Sequence, residues 1–138
     1  MPLARMAMYK KNINIHLAPT ADNRETWQTT IKHIALEGRC FVISCNQFVR
    51  EGDYPDDITE IENKESPGNI VSRGGSAVIS PFGEYIAGPV WDKEEILYAD
   101  MDMTMVTRAS FDFDPAGHYN RDDIFDLRIK DQPKIIKA

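Results

Sequence analysis

An α/β fold is predicted by four stretches that follow one another at the start of the chain. "PLARMAMYKK" puts Leu3, Met6 and Ala7 on one helical face, with Pro2 suited to the first turn and the helix ending near Lys10 and Lys11. "INIHLAP" alternates Ile13, Ile15 and Leu17 against Asn14 and His16, the period of a strand, and Pro19 closes it. Trp27, Ile31, Ile34 and Ala35 then recur at helical spacing. The apolar run "RCFVISCN" follows, bounded by turn residues, as a strand buried on both faces does. Helix, strand, helix and strand in this order build a layered α/β unit.

The second helix is expected from about Asn23 to Glu37. Asp22 with Glu25 makes a capping-box pattern at its start, and Gly38 is placed to end it. From Gln47 to Asn69 the chain turns acidic and loses its period, which predicts a mobile surface excursion over about 50–70. "GGSAVISPFGEYIAGPV" predicts a hairpin around Pro81, Phe82 and Gly83. "EILYADMDM" alternates again and reads as a strand, with Asp100 and Asp102 opposite Met101 and Met103. "TMVTRASF" reads as a short helix. The remainder is polar and aperiodic, a tail that packs on another surface.

At 138 residues and 42% hydrophobic content the chain is one domain with enough apolar material for a core. Sixteen Lys plus Arg against twenty-two Asp plus Glu give a formal charge of −6, which argues against nucleic acid as a partner. No apolar run approaches the roughly 20 residues that span a bilayer, and the first residues lack a signal-peptide pattern. A soluble, cytoplasmic protein without membrane association is the expectation.

Chemistry-bearing residues are sparse. Cys40 and Cys45, five apart on one strand, would stand about 16 Å from each other, too far for a disulfide. Both lie in an apolar run where burial raises a thiol pKa, so both read as structural. His16, His33 and His118 have no metal-ligand spacing, and C-x-x-C, H-E-x-x-H, G-x-S-x-G and G-x-x-x-x-G-K are absent. No metal or cofactor is expected. "RGGSAV" could cradle an anion, but a glycine pair more simply allows close strand approach. Asp100 and Asp102 could form an acid and base pair, but protection of an exposed edge strand explains them better. The acidic stretch from Glu51 to Glu65 lacks the spacing of a calcium loop.

Four stretches taken together, "MPLARMAMY", "APTADNRETWQTTIKHIALEGRCFVISCNQF", "GGSAVISPFGEYIAGP" and "YADMDM" followed by "GHYNRDDIF", resemble the C-terminal half of a nitrilase. The resemblance implies a partial carbon-nitrogen hydrolase domain over residues 1–112, part of a four-layer α-β-β-α sandwich, and a tail over 113–138 that packs on a partner subunit. It implies hydrolysis of a nitrile to a carboxylic acid and ammonia through a cysteine thioester, with a glutamate base and a lysine. The family's cysteine stands in a Cys-Trp-Glu motif just ahead of the stretch matching "MPL", so all three catalytic positions lie upstream of residue 1. Cys40 and Cys45 match other positions, and the chain is expected to be inactive alone. Pro19, Thr20, Ala21, Asp22 and Trp27 are expected to form part of the substrate-pocket wall. The implied partners are a small-molecule nitrile and further subunits, either copies of itself or an intact homologue. The alternative is a non-catalytic assembly or binding module that pairs with full-length nitrilase subunits.

Overall fold

The computed structural model describes residues 1–55 and 69–129. Their order is α1 (Pro2–Tyr9), β1 (Ile15–Leu17), α2 (Glu25–Gly38), β2 (Phe41–Ser44), β3 (Phe48–Arg50), one 3₁₀ turn (Glu51–Asp53), β4 (Ile70–Ile79), β5 (Tyr85–Trp91) and α3 (Thr104–Asp112). The strands form one five-stranded mixed sheet. β1 and β2 run parallel, with Ile15 opposite Phe41 and Leu17 opposite Ile43. β4 organises the rest, because its ten residues pair antiparallel with β2, β3 and β5. β1 has only β2 as a partner among the described residues, so its other edge is free.

α2 forms because its apolar residues repeat at helical spacing and find an apolar sheet face. Ile31, Ile34 and Ala35 pack on Val42, Ala77 and Ile79, with Ala18 in the same cluster and Trp27 and Tyr85 at its margin. Each buried isoleucine contributes roughly 1.5–3 kcal/mol. An exposed ion pair such as Arg24–Asp22 is screened by water and holds far less, so the apolar contact sets where α2 lies.

α1 is fastened to α2 by a polar cluster. Arg5 Nε donates to Glu37 Oε2 at 2.8 Å, and the buried Tyr9 hydroxyl donates to the same oxygen at 2.9 Å. Gly38, expected to terminate α2, is instead its last helical residue, and Arg39 takes the left-handed conformation (φ 49°) that ends it. Gly38 lacks a side chain for a packing reason: a Cβ there would lie 2.3 Å from Cε1 of the Tyr9 ring. The Arg39 guanidinium reaches Asp112 at 2.9 Å, which ties the end of α2 to α3.

The hairpin is as predicted. Gly83 N donates to Ser80 O at 2.9 Å across Pro81 and Phe82, and Gly83 has the positive φ (80°) that such a turn followed by a left-handed residue demands.

Three local expectations are corrected, and the inward face of β1, which alternation alone leaves open, is set. The capping box does not form, since the residue capping α2 is Arg24 and Asp22 folds into a local turn with it. On β1 the apolar alternation points away from the helices: Ile15 and Leu17 are exposed (37% and 69%), while His16 is half-buried and Ala18 buried. The helices occupy the His16–Ala18 face, and no described layer covers the other face of this edge strand. Part of the acidic excursion is ordered, as β3 and the 3₁₀ turn, because β4 starts already at Ile70 and offers β3 a ladder. Residues 56–68, most of that excursion and of the Glu51–Glu65 stretch, lie outside the described residues, as do 130–138 of the tail. "EILYADMDM" keeps its alternation, with Leu97, Ala99 and Met101 half-buried and Ile96 and Tyr98 exposed, but it joins no ladder. Asp102 instead accepts from Thr104 N (2.9 Å) and Thr104 Oγ (2.7 Å) where α3 starts. No helix among the described residues is long and apolar enough to cross a membrane.

Gly38→Ala tests the packing account. Helix propensity alone favours alanine by about 1 kcal/mol, while the collision with the Tyr9 ring costs about 1–3 kcal/mol. The variant is expected to be less stable by about 1 kcal/mol in urea unfolding, and Tyr9→Leu in the same background is expected to relieve much of the loss.

The Arg5–Tyr9–Glu37 cluster also sets a pH dependence. Burial pushes the Glu37 carboxyl up, but the hydrogen bonds from Arg5 and Tyr9 outweigh it and hold the pKa below the ordinary 4.5. A folded pKa below the unfolded one means the unfolded chain binds more protons. The stabilisation is therefore present above pH 4.5 and lost as pH falls through the folded value. Urea midpoints of the wild type and Glu37→Gln are expected to differ at pH 7 and to converge as pH is lowered below 4.5 and through the folded pKa.

Candidate active-site wall

The candidate wall starts where β1 ends. Ala18 N donates to Ile43 O at 2.8 Å and Thr20 N donates to Cys45 O at 3.0 Å, so the chain keeps following β2 after its last paired residue, Leu17. The Pro19–Asp22 loop then closes through two side-chain turns. Asp22 N donates to Thr20 Oγ1 (2.9 Å), and Arg24 N donates to Asp22 Oδ1 (3.1 Å). The Arg24 guanidinium adds bonds of 2.8 and 2.6 Å to the same carboxylate. Hydrogen bonding from Arg24 holds the Asp22 carboxyl down at about 2, so Asp22 carries its charge across the physiological range. It serves as an anchor already paired, not as a poised acid or base.

Trp27 lies in the first turns of α2, and its indole Nε1–H donates to Ser44 Oγ at 3.0 Å. Ser44 Oγ in turn donates to the Ala18 carbonyl at 3.1 Å. One buried hydroxyl therefore joins the last residue before the loop to the aromatic ring behind it. Pro19 and Trp27 line a groove of about 320 Å³ with Met1, Arg5, His16 and Leu17, running between the helices and the free edge of β1. His16 is half-buried there, and burial together with the neighbouring Arg5 charge lowers its pKa, which favours the neutral imidazole. Thr20, Ala21 and Asp22 do not line this groove but lie past its end, at the carboxyl end of β1.

The sequence reading missed Ser44 and Gln28. Gln28 is buried, donates from Nε2 to the Gly75 carbonyl (2.8 Å) and accepts from the Tyr85 hydroxyl at 3.1 Å, which couples α2 to β4 and β5. A signal existed for each: a serine inside the run "FVIS", and a glutamine one step from the apolar face of α2. Both are polar groups at positions the pattern assigns to the interior, where they must be hydrogen-bonded.

The two cysteines differ, which corrects the expectation that both are buried. Cys40 is fully buried, and burial pushes its thiol up to about 11. Cys45 is exposed, because β2 ends at Ser44 and the next residue turns out of the ladder. A thiol titration is expected to find one reactive group per native chain, lost in Cys45→Ala, and a second only after denaturation. Among the described residues no group of three His, Cys, Asp or Glu side chains is placed to hold a metal ion. His33 pairs instead with Glu37 (3.7 Å) on the same helix.

A parallel β-α-β step whose connecting loop stands at the carboxyl ends of the strands marks the part of an α/β enzyme where ligands bind. The chain belongs to the carbon-nitrogen hydrolase family, whose model matches residues 1–111. It is 50% identical over 134 residues to a nitrilase of Bradyrhizobium diazoefficiens, covering 97% of this chain and 41% of that protein. It is 48% identical to a bifunctional nitrilase/nitrile hydratase of Lupinus angustifolius, covering 96% and 39%, and 46% identical to an aliphatic nitrilase of Sinorhizobium fredii, covering 97% and 43%. The chain thus spans about two fifths of the length of the curated relatives it matches. Among solved structures, a carbon-nitrogen hydrolase of Helicobacter pylori shares the fold with a TM-score of 0.66 at 23% identity, over 90% of this chain and 43% of that one. A superfamily member from Xanthomonas campestris aligns with a TM-score of 0.56 at 18% identity, over 76% and 35%.

Proposed function

We propose that this chain forms the C-terminal part of a nitrilase that converts a nitrile to a carboxylic acid and ammonia, and that the reacting cysteine comes from residues outside this sequence. The carrying observation is the free edge of β1 beside the groove that Met1 lines. Crossovers between parallel strands are right-handed, so a strand that feeds α1 would lie parallel to β1 on that free edge. Its last residue would then stand at the first turn of α1 and next to the Pro19–Asp22 loop. Unpaired N–H groups and the helix dipole at such a turn lower a thiol pKa and favour thiolate.

In this reading the thiolate adds to the nitrile carbon, and charge that develops on nitrogen needs a cation and a proton donor. Water releases ammonia from the thioimidate to leave a thioester, and a second water frees the acid and restores the thiol. The loop and Trp27 supply part of the wall that orients the nitrile. The uncovered apolar Ile15–Leu17 face supports a second sheet stacked there, as in a four-layer sandwich, since exposed apolar surface of this kind is normally covered by a partner. Identity of 46–50% to nitrilases over nearly the whole chain supports the reaction class.

A second reading, a non-catalytic module that binds intact nitrilase subunits, is favoured by the apolar groove of about 440 Å³ between α1 and the tail, lined by Leu3, Met6, Tyr119 and Phe125. One experiment separates the two. The chain is expressed alone and together with the part of the Bradyrhizobium nitrilase that it does not match, and ammonia release from aliphatic and aryl nitriles is measured. No release alone and release from the pair is the expected outcome. A pair that co-purifies without activity favours the assembly module. Release by the chain alone that is abolished in Cys45→Ala overturns both.

A further inference from the structure

Ser44 is 2% exposed, in a strand otherwise made of Phe41, Val42 and Ile43. Nothing about strand formation requires a hydroxyl there, and valine suits such a position better. What the hydroxyl does is specific. It accepts from Trp27 Nε1 at 3.0 Å and donates to Ala18 O at 3.1 Å, so its proton and one lone pair are both used. Its two partners bracket the candidate wall, Ala18 immediately before Pro19 and Trp27 on the helix that follows the loop. Proline has no N–H, so the next backbone tie after Ala18 is Thr20 N to Cys45 O at 3.0 Å. The start of the loop is thus held from the carboxyl end of β2, once by a side chain and once by a carbonyl.

We propose that Ser44 is a positioning residue whose buried hydroxyl fixes the Pro19–Asp22 loop and the Trp27 ring relative to the reacting nitrile, and thereby sets which nitriles fit. This rests on the reading of the loop as pocket wall. Ser44 touches no substrate in this account; it acts through Ala18 and Trp27. A small displacement of a wall is sufficient to change turnover, because reaction rates depend steeply on the approach geometry of the reacting atoms.

The test has two arms. In the first, amide hydrogen exchange of the chain is compared with that of Ser44→Ala. Exchange at Thr20 and Asp22 is expected to quicken about tenfold, while the core amides of Ile34 and Val42 stay protected. Unchanged exchange at Thr20 and Asp22 in a folded variant overturns the positioning role and leaves the nitrilase reading intact. If Ser44→Ala does not fold, Ser44→Cys keeps the volume and is measured in the same way; if neither folds, Ser44 is a folding determinant and the proposal falls.

In the second arm, the chain complemented with the unmatched part of the Bradyrhizobium nitrilase is assayed on a short aliphatic and an aryl nitrile. The ratio of the two kcat/KM values is expected to shift several-fold in Ser44→Ala. Reduced stability alone scales both values together and leaves their ratio unchanged. Faster exchange with an unchanged ratio overturns the specificity half of the proposal and, with it, the assignment of the loop to the pocket.

Discussion

The packing of α2 on β2 and β4 is the contact on which the other features depend. Ile31, Ile34 and Ala35 press against Val42, Ala77 and Ile79, and this apolar seam fixes both the height and the rotation of the helix. With that set, Trp27 arrives above Ser44, Gln28 reaches the Gly75 carbonyl, and Glu37 meets Arg5 and Tyr9 of α1. The polar bonds do not place α2; they are available because it has been placed. Their value is in specificity, since a buried donor or acceptor left unpaired would penalise any other rotation of the helix.

The sheet is unequal from side to side. β4, with two neighbouring edges in use, is its most extensively paired strand, whereas β1 has three residues and, among the described residues, one partner and a free edge. An open edge flanked by an apolar groove is a surface that proteins rarely leave bare, because unpaired N–H and C=O groups invite another strand. The same strand exposes Ile15 and Leu17 on the face away from the helices. Edge and face together describe a unit that has completed one helix layer and one sheet and still presents apolar surface for more. This agrees with a chain that spans about two fifths of its relatives.

The candidate wall sits on the sparsely paired side of this unequal unit, at the end of β1, and carries its own anchors. β2 holds the loop through the Ser44 hydroxyl and the Cys45 carbonyl, and Arg24 closes it at the far end. A binding surface next to a free edge can keep its shape only if its own anchors are independent of what docks there, and these bonds lie entirely within the chain.

The sequence by itself determined the class of the fold, both helices of the first half, the β2 strand and the hairpin turn. Periodic apolar residues and turn chemistry are local properties, readable without knowing what packs on them. The resemblance carried by "MPLARMAMY" through "GHYNRDDIF" likewise sufficed for the family. Only the tertiary structure decided which face of β1 is inside, since alternation marks two faces without saying where the helices lie. It also decided that "EILYADMDM" stays outside the ladder and that Phe48–Arg50 joins it, because strand membership depends on a partner edge in reach. Among the predicted wall residues, Pro19 and Trp27 converge on one groove while Thr20, Ala21 and Asp22 lie past its end, and Ser44, 22 residues after Asp22 in the chain, joins Trp27 to Ala18 just ahead of the loop. Contacts between residues that distant come from chain geometry, and no spacing along the sequence encodes them.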